Sequence, residues 1–348
     1  MTETLFRSAS YKRDMKIHTR SSCFVIAGLW MILAVFPFNS DAQTAKPVLA
    51  ALNKAENTLT LIDPISMKVI AKIPTGDGPH EVVLSSDGKT AFVANYGAQT
   101  PGNSISVVDI ASAKEVRRVD VSPLMRPHGL QVVGGKLYFT SETNRVVARY
   151  DPTTNKVDWL MGTGQNASHM IAVSADQKRI YTANIASDSI TAFEFQNVPP
   201  AGSKITQIPV GKQPEAIDLS PDGKKVWTGL NAEGMVEIVD TAAARSVAKV
   251  NIGGRPYRVR FTPDGKQVVC TMIAAKELLI IDAATIKEVR RMKLEGVPLG
   301  IVFSGDGKTA FVTMVEPDAV LKIDLEKMEI TGRAESGKGP DGIAVFGL

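Results

Sequence analysis

The sequence predicts an all-β fold, a seven-bladed β-propeller with four antiparallel strands in each blade. An apolar run, opened by Pro in six of seven copies, recurs at steps of 48, 41, 46, 42, 42 and 42 residues. Asp-Gly or Gly-Gly turns follow most copies, and the runs between turns are short and β-branched, which is typical of hairpins. A period of roughly 40–45 residues with four strands per period indicates a propeller blade. The copies begin at Pro79, Pro127, Ser168, Pro214, Pro256, Pro298 and Pro340.

One copy shows how the four strands of a blade are placed. Between residues 214 and 250, four runs of β-forming residues are separated by turn residues, of which Pro221-Asp222-Gly223 is the first group. The third run ends at Asp240, and the third runs of other copies also end in Asp. A carboxylate at that position caps the following turn by accepting backbone N–H groups. The predicted strands are 216–220, 225–229, 235–240 and 246–250.

The two ends of the chain are predicted to share the last blade. The last copy contains one strand, 342–346, whereas three strands, 48–52, 58–63 and 68–73, precede the first copy. Joining the C-terminal strand to these N-terminal strands closes the ring and removes a free sheet edge. Residues 43–348 are therefore expected to form a single β-propeller domain.

The first 42 residues have the pattern of a secretory signal peptide. Lys16 and Arg20 precede an apolar stretch, residues 23–38, and Ser40-Asp41-Ala42 is a small-x-small cleavage site. Met15-Lys16 is a more typical signal start than Met1, so a second interpretation is that translation begins at Met15 and that residues 1–14 are a misassigned start. The segment predicts export to the periplasm or the medium. Its apolar run, residues 23–38, is short for a membrane span, which needs roughly 20 residues, so a cleaved signal is favoured over an uncleaved anchor and no span is expected in the mature chain.

The mature chain is almost neutral. It carries 35 Lys and Arg against 33 Asp and Glu, which argues against a nucleic-acid partner. Cys270 is its single cysteine and lies in an apolar run. Because no disulfide can form within one mature chain, the hydrophobic core must stabilise the fold.

Three segments resemble the YVTN β-propeller repeat of bacterial exported proteins. They are Thr90-Ala-Phe-Val-Ala-Asn-Tyr96, Arg179-Ile-Tyr-Thr-Ala-Asn184 and Lys308-Thr-Ala-Phe-Val-Thr313. The resemblance extends over nearly all of the mature chain and implies the same propeller fold. It does not imply one activity, because the family mixes surface-layer proteins, enzymes and proteins of unknown role.

A ring of polar side chains is predicted at one mouth of the channel. The residue after each repeat Pro begins an inner strand, and the second strands end on the same face. Leu or Val would serve packing equally well at these positions. In ring order the first set is His80, His128, His169, Glu215, Tyr257, Leu299 and Asp341. The second set is Asn53, Asn95, Glu142, Asn184 and Asn231.

The histidines suggest a metal site. His80, His128, His169 and Glu215 come from four consecutive blades, and imidazole with carboxylate suits Zn, Mn, Fe or Cu. Two other interpretations are a metal-free polar binding mouth and histidines that hydrogen-bond the neighbouring blade.

Further roles are predicted for residues around this ring. In an enzyme, Glu142 or Tyr257 would act as acid or base and Arg255 would hold the charge of the substrate. Arg258 and Arg260 alternate with apolar residues and are expected to line the channel. The loop 96–103 is a candidate lid. The predicted ligand-binding residues are Asn95, Arg126, Asn184, Asn231, Arg258 and Asp341.

Three functions remain open. The first is an exported propeller that binds a small-molecule or saccharide ligand at the mouth, with or without a divalent metal. The second is a metal-dependent hydrolase or lyase for a lactone or uronate-type substrate at the same site. The third is a scaffold that binds a protein partner.

Overall fold

The computed structural model describes residues 46–197 and 202–348, which form seven four-stranded antiparallel sheets. The predicted signal peptide, residues 1–42, lies outside the described residues. Inner strands of consecutive sheets contact each other around a closed ring, so the predicted seven-bladed β-propeller is confirmed. Within the described part of the chain, no helix has the length and hydropathy needed to cross a membrane.

The described residues contain 28 strands and one short 3-10 helix, Ile185–Ser187. In chain order the strands are β1 (Val48–Asn53), β2 (Thr58–Ile62), β3 (Val69–Pro74), β4 (Pro79–Leu84), β5 (Thr90–Gly97), β6 (Pro101–Asp109), β7 (Lys114–Asp120), β8 (Pro127–Val133), β9 (Lys136–Ser141), β10 (Val146–Asp151), β11 (Lys156–Gly162), β12 (Ser168–Val173), β13 (Arg179–Asn184), β14 (Ser189–Phe195), β15 (Ser203–Pro209), β16 (Pro214–Leu219), β17 (Lys225–Leu230), β18 (Met235–Asp240), β19 (Arg245–Asn251), β20 (Pro256–Phe261), β21 (Gln267–Met272), β22 (Glu277–Asp282), β23 (Lys287–Lys293), β24 (Val297–Phe303), β25 (Thr309–Val315), β26 (Ala319–Asp324), β27 (Glu329–Glu335) and β28 (Pro340–Phe346).

Each repeat forms one blade, and the chain ends share the seventh. Blades 1 to 6 begin with the inner strands β4, β8, β12, β16, β20 and β24, and each continues outward through three more strands. Blade 7 has the order β28-β1-β2-β3. Ile343 pairs with Ala51 and Val345 with Leu49. The predicted closure is confirmed, with β28 beginning two residues earlier than expected.

Every inner strand is irregular at the residue that follows the repeat Pro. In blade 1 the register with β5 shifts between Pro79 and Glu81, so His80 has no partner of its own. The other inner strands shift at the equivalent position. Such β-bulges re-aim side chains and are frequent beside functional sites. The bulge allows two adjacent residues, His80 and Glu81, to reach the channel.

Neighbouring inner strands approach each other closely just beyond the bulges. A Cβ atom on Gly129 would lie 2.6 Å from the carbonyl oxygen of His169, and one on Gly342 would lie 2.5 Å from that of His80. Real Cβ atoms do not come so near to backbone, so glycine is required at both positions. We call this level of the channel, where neighbouring inner strands approach each other, the neck.

Side chains of Asp hold the turns, as the sequence predicted. Asp240 accepts N–H groups from Ala242 and Ala243, and Asp282 accepts them from Ala284 and Thr285. Asp63, Asp109, Asp151 and Asp324 accept from the following turn in the same way. These caps fix where each third strand ends and the outer strand begins.

Cys270 lies in β21 within the core cluster that also contains Val268 and Met272, and it is fully buried. Burial raises the pKa of its thiol to about 12, whereas an unfolded cysteine ionises near about 8.5. The unfolded chain therefore loses this proton at a lower pH than the folded chain, and the free energy of unfolding falls as the pH rises between these two pKa values.

We expect Ellman's reagent at about pH 8 to leave Cys270 of the folded mature chain unmodified and to titrate one thiol after denaturation. Rapid labelling of the folded chain would contradict this burial.

Candidate metal centre

The three histidines of blades 1 to 3 lie in one buried cluster. Each is the bulged residue of its inner strand, and consecutive blades place the rings side by side. The ring centroids of His80 and His128 are 4.4 Å apart, and those of His128 and His169 are 3.7 Å apart. All three side chains are buried. The structure thus brings together the three histidines that the sequence predicted as metal ligands.

Carboxylates end the row of histidines on both sides. Asp341 Oδ2 lies 3.1 Å from His80 Nδ1, and Glu215 Oε1 lies 3.3 Å from His169 Nε2. Glu142, at the end of the second strand of blade 2, contacts His169 Nδ1 through Oε1. Burial opposes the charge on His169, but the bonds with Glu142 and Glu215 outweigh it and raise the pKa of His169 to about 9.

His128, in the middle of the row, has a different environment. Its side chain is 0 % exposed, and among the described residues neither ring nitrogen has a hydrogen-bond partner. Burial, and then the charges of His169 and His80, hold the pKa of His128 well below its usual value. A buried polar group without a partner costs about 1–3 kcal/mol. His128 is therefore a neutral imidazole with a free lone pair directed into a polar cluster.

Two groups of side chains have atoms close enough to hold one metal ion. The first is His80, Glu81 and His128, and the second is His128, Glu142 and His169; within each group the ligand atoms lie within 4.8 Å of one another. Glu215 borders the cluster but belongs to neither group. Glu81 was not among the residues predicted for the site, although an acidic residue in an otherwise apolar inner strand is a usable signal.

Glu81 forms a buried ion pair across the channel with Arg258 of blade 5. Burial lowers the pKa of Arg258, but the charge of Glu81 outweighs it and keeps the pKa above its usual value. The guanidinium also lies over the Tyr257 ring, 4.4 Å from its centroid, and Tyr257 donates to Asp341 Oδ1 at 3.0 Å. Arg258, Tyr257 and Asp341 therefore lie in the cluster, as the sequence predicted.

Removing one partner of this ion pair should be strongly destabilising. We expect Arg258→Met to lower the free energy of unfolding by about 3–5 kcal/mol, because Glu81 would stay buried without its partner. Urea unfolding of chelator-treated protein measures the loss. The double variant Glu81→Leu with Arg258→Met should recover most of it. A double variant as unstable as Arg258→Met alone would show that the loss comes from packing and not from the charge left behind.

Tyr96 covers the cluster from the β5–β6 hairpin. Its hydroxyl donates to Glu142 Oε2 at 2.5 Å, and its ring centroid lies 5.1 Å from that of His80 and 5.4 Å from that of His128. Burial and the neighbouring Glu142 raise the pKa of Tyr96 to about 12. The guanidinium of Arg126 lies over the outer face of this ring, 4.5 Å from the centroid. The longer loop that the sequence suggested as a lid extends this hairpin.

The remaining predicted residues lie in supporting positions. The amides of Asn95 and Asn184 are buried and bond within their own blades, to Ser106 Oγ at 2.9 Å and to Thr191 Oγ1 at 3.0 Å respectively. Asn231 Oδ1 accepts from Arg255 Nε at 2.6 Å. These bonds brace the loops around the cluster.

The cluster carries an excess of negative charge. Its carboxylates are Glu81, Glu142, Glu215 and Asp341, and its cationic side chains besides the histidines are Arg258 and Lys54, whose Nζ lies 2.5 Å from His80 Nε2. Glu81 counts as ionised because it contacts the guanidinium, although burial raises its pKa. In the metal-free cluster a protonated His169, whose pKa is about 9, offsets one of the two excess negative charges. Once the imidazoles are neutral, as in a metal-bound state, the four acids exceed the two cations by two charges, which one divalent cation would balance.

The chain is similar in fold to several solved structures. It matches Kuenenia stuttgartiensis hydrazine synthase at 21% identity and a TM-score of 0.67, over 77% of this chain and 89% of that one. A functionally unknown protein from Desulfotomaculum acetoxidans matches at 11% identity and a TM-score of 0.73, over 86% and 99%. Dihydro-heme d1 dehydrogenase NirN in complex with DHE matches at 14% identity and a TM-score of 0.60, over 85% and 74%.

These similarities support the propeller fold alone, because all three identities are below 25%. No protein-family description matches the chain, and no curated protein sequence matches it.

Proposed function

We propose that this protein is an exported β-propeller that binds one divalent transition-metal ion through His128, His169 and Glu142. The observation that carries the proposal is the fully buried imidazole of His128, whose two ring nitrogens have no partner among the described residues. A metal ion would satisfy one of these nitrogens and offset the excess negative charge around it.

The choice between the two groups of side chains rests on Glu81. In the first group, a metal ion would lie beside the guanidinium of Arg258 and compete with it for Glu81. In the second group, the carboxylate of Glu142 bonds Tyr96 and His169 among the described residues, and both are neutral when His169 acts as a ligand. Electrostatic repulsion therefore favours the second group.

Groups around this ligand set would orient it. Tyr96 holds the second oxygen of Glu142, and Glu215 lies beside the second ring nitrogen of His169. Metal-bound histidines usually donate their other N–H to a carboxylate, which fixes the tautomer and the ring orientation. Imidazole and carboxylate ligands favour Zn, Mn, Fe or Cu over Ca. When bound, such an ion supplies a Lewis acid or, for Fe and Cu, an electron-transfer centre.

The burial of the proposed metal ligands favours a binding function over an enzymatic one. His128 is fully buried, and Tyr96 with Arg126 covers the cluster. A hydrolase or lyase would need an open coordination position that a substrate reaches.

Elemental analysis tests the proposal. The mature chain is stripped with a chelator, reconstituted separately with Zn, Mn, Fe(II) and Cu(II), and desalted. We expect about one equivalent of at least one of these metals per chain, as for a buried site with three protein ligands. Less than about 0.1 equivalent of every metal, after aerobic and anaerobic preparation, would overturn the proposal.

Export rests on the pattern in residues 1–42. Expression of the whole chain in a bacterial host should give a periplasmic or secreted protein whose first residue is Gln43. Recovery of the uncleaved chain from the cytoplasm would contradict this part of the proposal.

A further inference from the structure

A cavity occupies the channel on the side of the neck away from the metal centre. Its volume is about 560 Å³, within the roughly 300–1,000 Å³ that is usual for small-molecule sites. Glu81 and Arg258 line the end nearest the metal centre, and Ser85, Ser86 and Pro263 line the other end. The cavity is thus separate from the histidine cluster and shares only the Glu81–Arg258 pair with it.

Apolar side chains from several blades form part of the wall of this cavity, beside polar and charged ones. Phe261, Phe303 and Phe346 of blades 5, 6 and 7 line it, together with Val83 of blade 1 and Ile343 of blade 7. Phe303, Phe346 and Val83 are only partly buried, so part of their apolar surface faces the cavity. Covering this surface with an apolar body would stabilise a complex by about 25 cal/mol for each Å² removed from water.

The two acids that line the cavity already have partners. Glu81 contacts Arg258. Asp218 Oδ2 accepts the N–H of Phe261 at 2.8 Å, and its Oδ1 accepts the N–H of Leu219 at 3.1 Å. Burial also raises the pKa of Asp218. Neither acid is therefore well placed to attract a cationic ligand.

Two arginines line the cavity, and Arg258 is paired with Glu81, so Arg260 is the cation available to a ligand. Its Nε lies 3.6 Å from Asp218 Oδ2, which is beyond hydrogen-bond distance, and the side chain is 45% exposed. Within residues 46–197 and 202–348 its guanidinium has this ion pair and no hydrogen bond. A guanidinium presents N–H donors in a planar fork that matches a carboxylate with two parallel bonds.

We propose that this cavity, which we call the lower site, binds a small organic carboxylate, with the apolar body of the ligand against Phe261, Phe303 and Phe346 and its carboxylate on Arg260. The site is independent of the proposed metal centre, because none of the three metal ligands lines this cavity.

Isothermal titration calorimetry with three matched probes tests the site. 4-Phenylbutyrate, 4-phenylbutanamide and 4-phenylbutylamine share one apolar body and differ in the charge of the head group. The mature chain is titrated with and without a chelator. We expect the acid to bind at least about tenfold more tightly than the amide, and the amine to bind most weakly. Fluorescence of Trp227, whose ring centroid lies 5.7 Å from that of Phe261, provides a second readout.

Variants of Arg260 identify the group that binds the carboxylate. Arg260→Gln should weaken binding of 4-phenylbutyrate about tenfold and leave the amide unchanged, and Arg260→Lys should fall between wild type and Arg260→Gln. The matched control is Arg290→Gln in the outer strand β23, where the guanidinium donates to the carbonyl of Leu325; this variant should bind like the wild type.

Three results would overturn the proposal. They are equal affinity for acid and amide, an Arg260→Gln variant that binds the acid like the wild type, or absence of binding for all three probes at millimolar concentration. The chelated arm keeps this test separate from the metal proposal, because binding that persists without metal supports the lower site even if the metal centre fails.

Discussion

His128→Leu is expected to abolish stoichiometric metal binding and to make the metal-free protein more stable than the wild type. Leucine is close to histidine in size, so the variant removes the two unpartnered ring nitrogens without opening a large cavity. Metal affinity should fall by more than about 100-fold, the upper end of the loss seen when an outer-shell partner is removed. The free energy of unfolding of chelated protein should rise by about 1–3 kcal/mol, because the cost of burying those nitrogens disappears.

The measurements are metal content after reconstitution and urea unfolding in chelator. Two variants of the same row serve as controls. His169→Leu should lose the metal, whereas His80→Leu should keep it, because His80 lies outside the proposed ligand set. The reverse outcome, metal lost in His80→Leu and kept in His169→Leu, would assign the ion to His80, Glu81 and His128. If His128→Leu destabilised the chelated protein by more than about 2 kcal/mol, its imidazole would have a structural partner.

Deleting residues 343–348 is expected to unfold the whole ring. The deletion removes most of β28, the inner strand of blade 7, which pairs with β1 and contacts β4 and β24. Ile343 is buried and Val345 and Phe346 are partly buried, so these side chains contribute up to about 1.5–3 kcal/mol each, the value for full burial. The fully buried Leu49 and Ala51 of β1 lose their inner-strand partner as well. The summed loss approaches the total of about 5–15 kcal/mol that stabilises a typical domain.

Circular dichroism and yield of folded protein measure this effect. We expect no cooperative thermal transition for the deletion. The matched control removes Leu348 alone, which is 40% exposed and accepts one bond, from the N–H of Gly305; its loss should cost about 1 kcal/mol. A deletion variant that melts cooperatively within a few degrees of the wild type would show that the ring is stable without this closure.

The architecture was predictable because the same local sequence pattern recurs in all seven copies of the repeat. A single run such as 216–220 fits a strand or a short buried helix, but seven copies with turns at fixed offsets leave the blade as the consistent solution. The closure of blade 7 followed from counting strands at the two ends. Bounds were less exact: β28 begins at Pro340 instead of residue 342, because the bulge adds residues that alternation cannot reveal.

The site was predictable in part. His80, His128 and His169 were found because they occupy one repeated position, and the ring symmetry brings such positions together. Glu81 was missed because regular alternation would direct it away from His80, and only the bulge turns both toward the channel. Tyr96 was assigned to a loop and not to the site, because its contact with Glu142 joins two blades and depends on how far the hairpin leans inward.

The bulge in every inner strand has a consequence for how this scaffold tolerates sequence change. A residue that has no partner in the β-ladder contributes little to the pairing of its blade, so its side chain can be exchanged at small cost to the rest of the sheet. The fold therefore repeats seven positions around the channel mouth whose side chains can vary with little effect on the strand pairing within each blade. Randomising these seven positions together would generate a family of binding mouths on one unchanged ring.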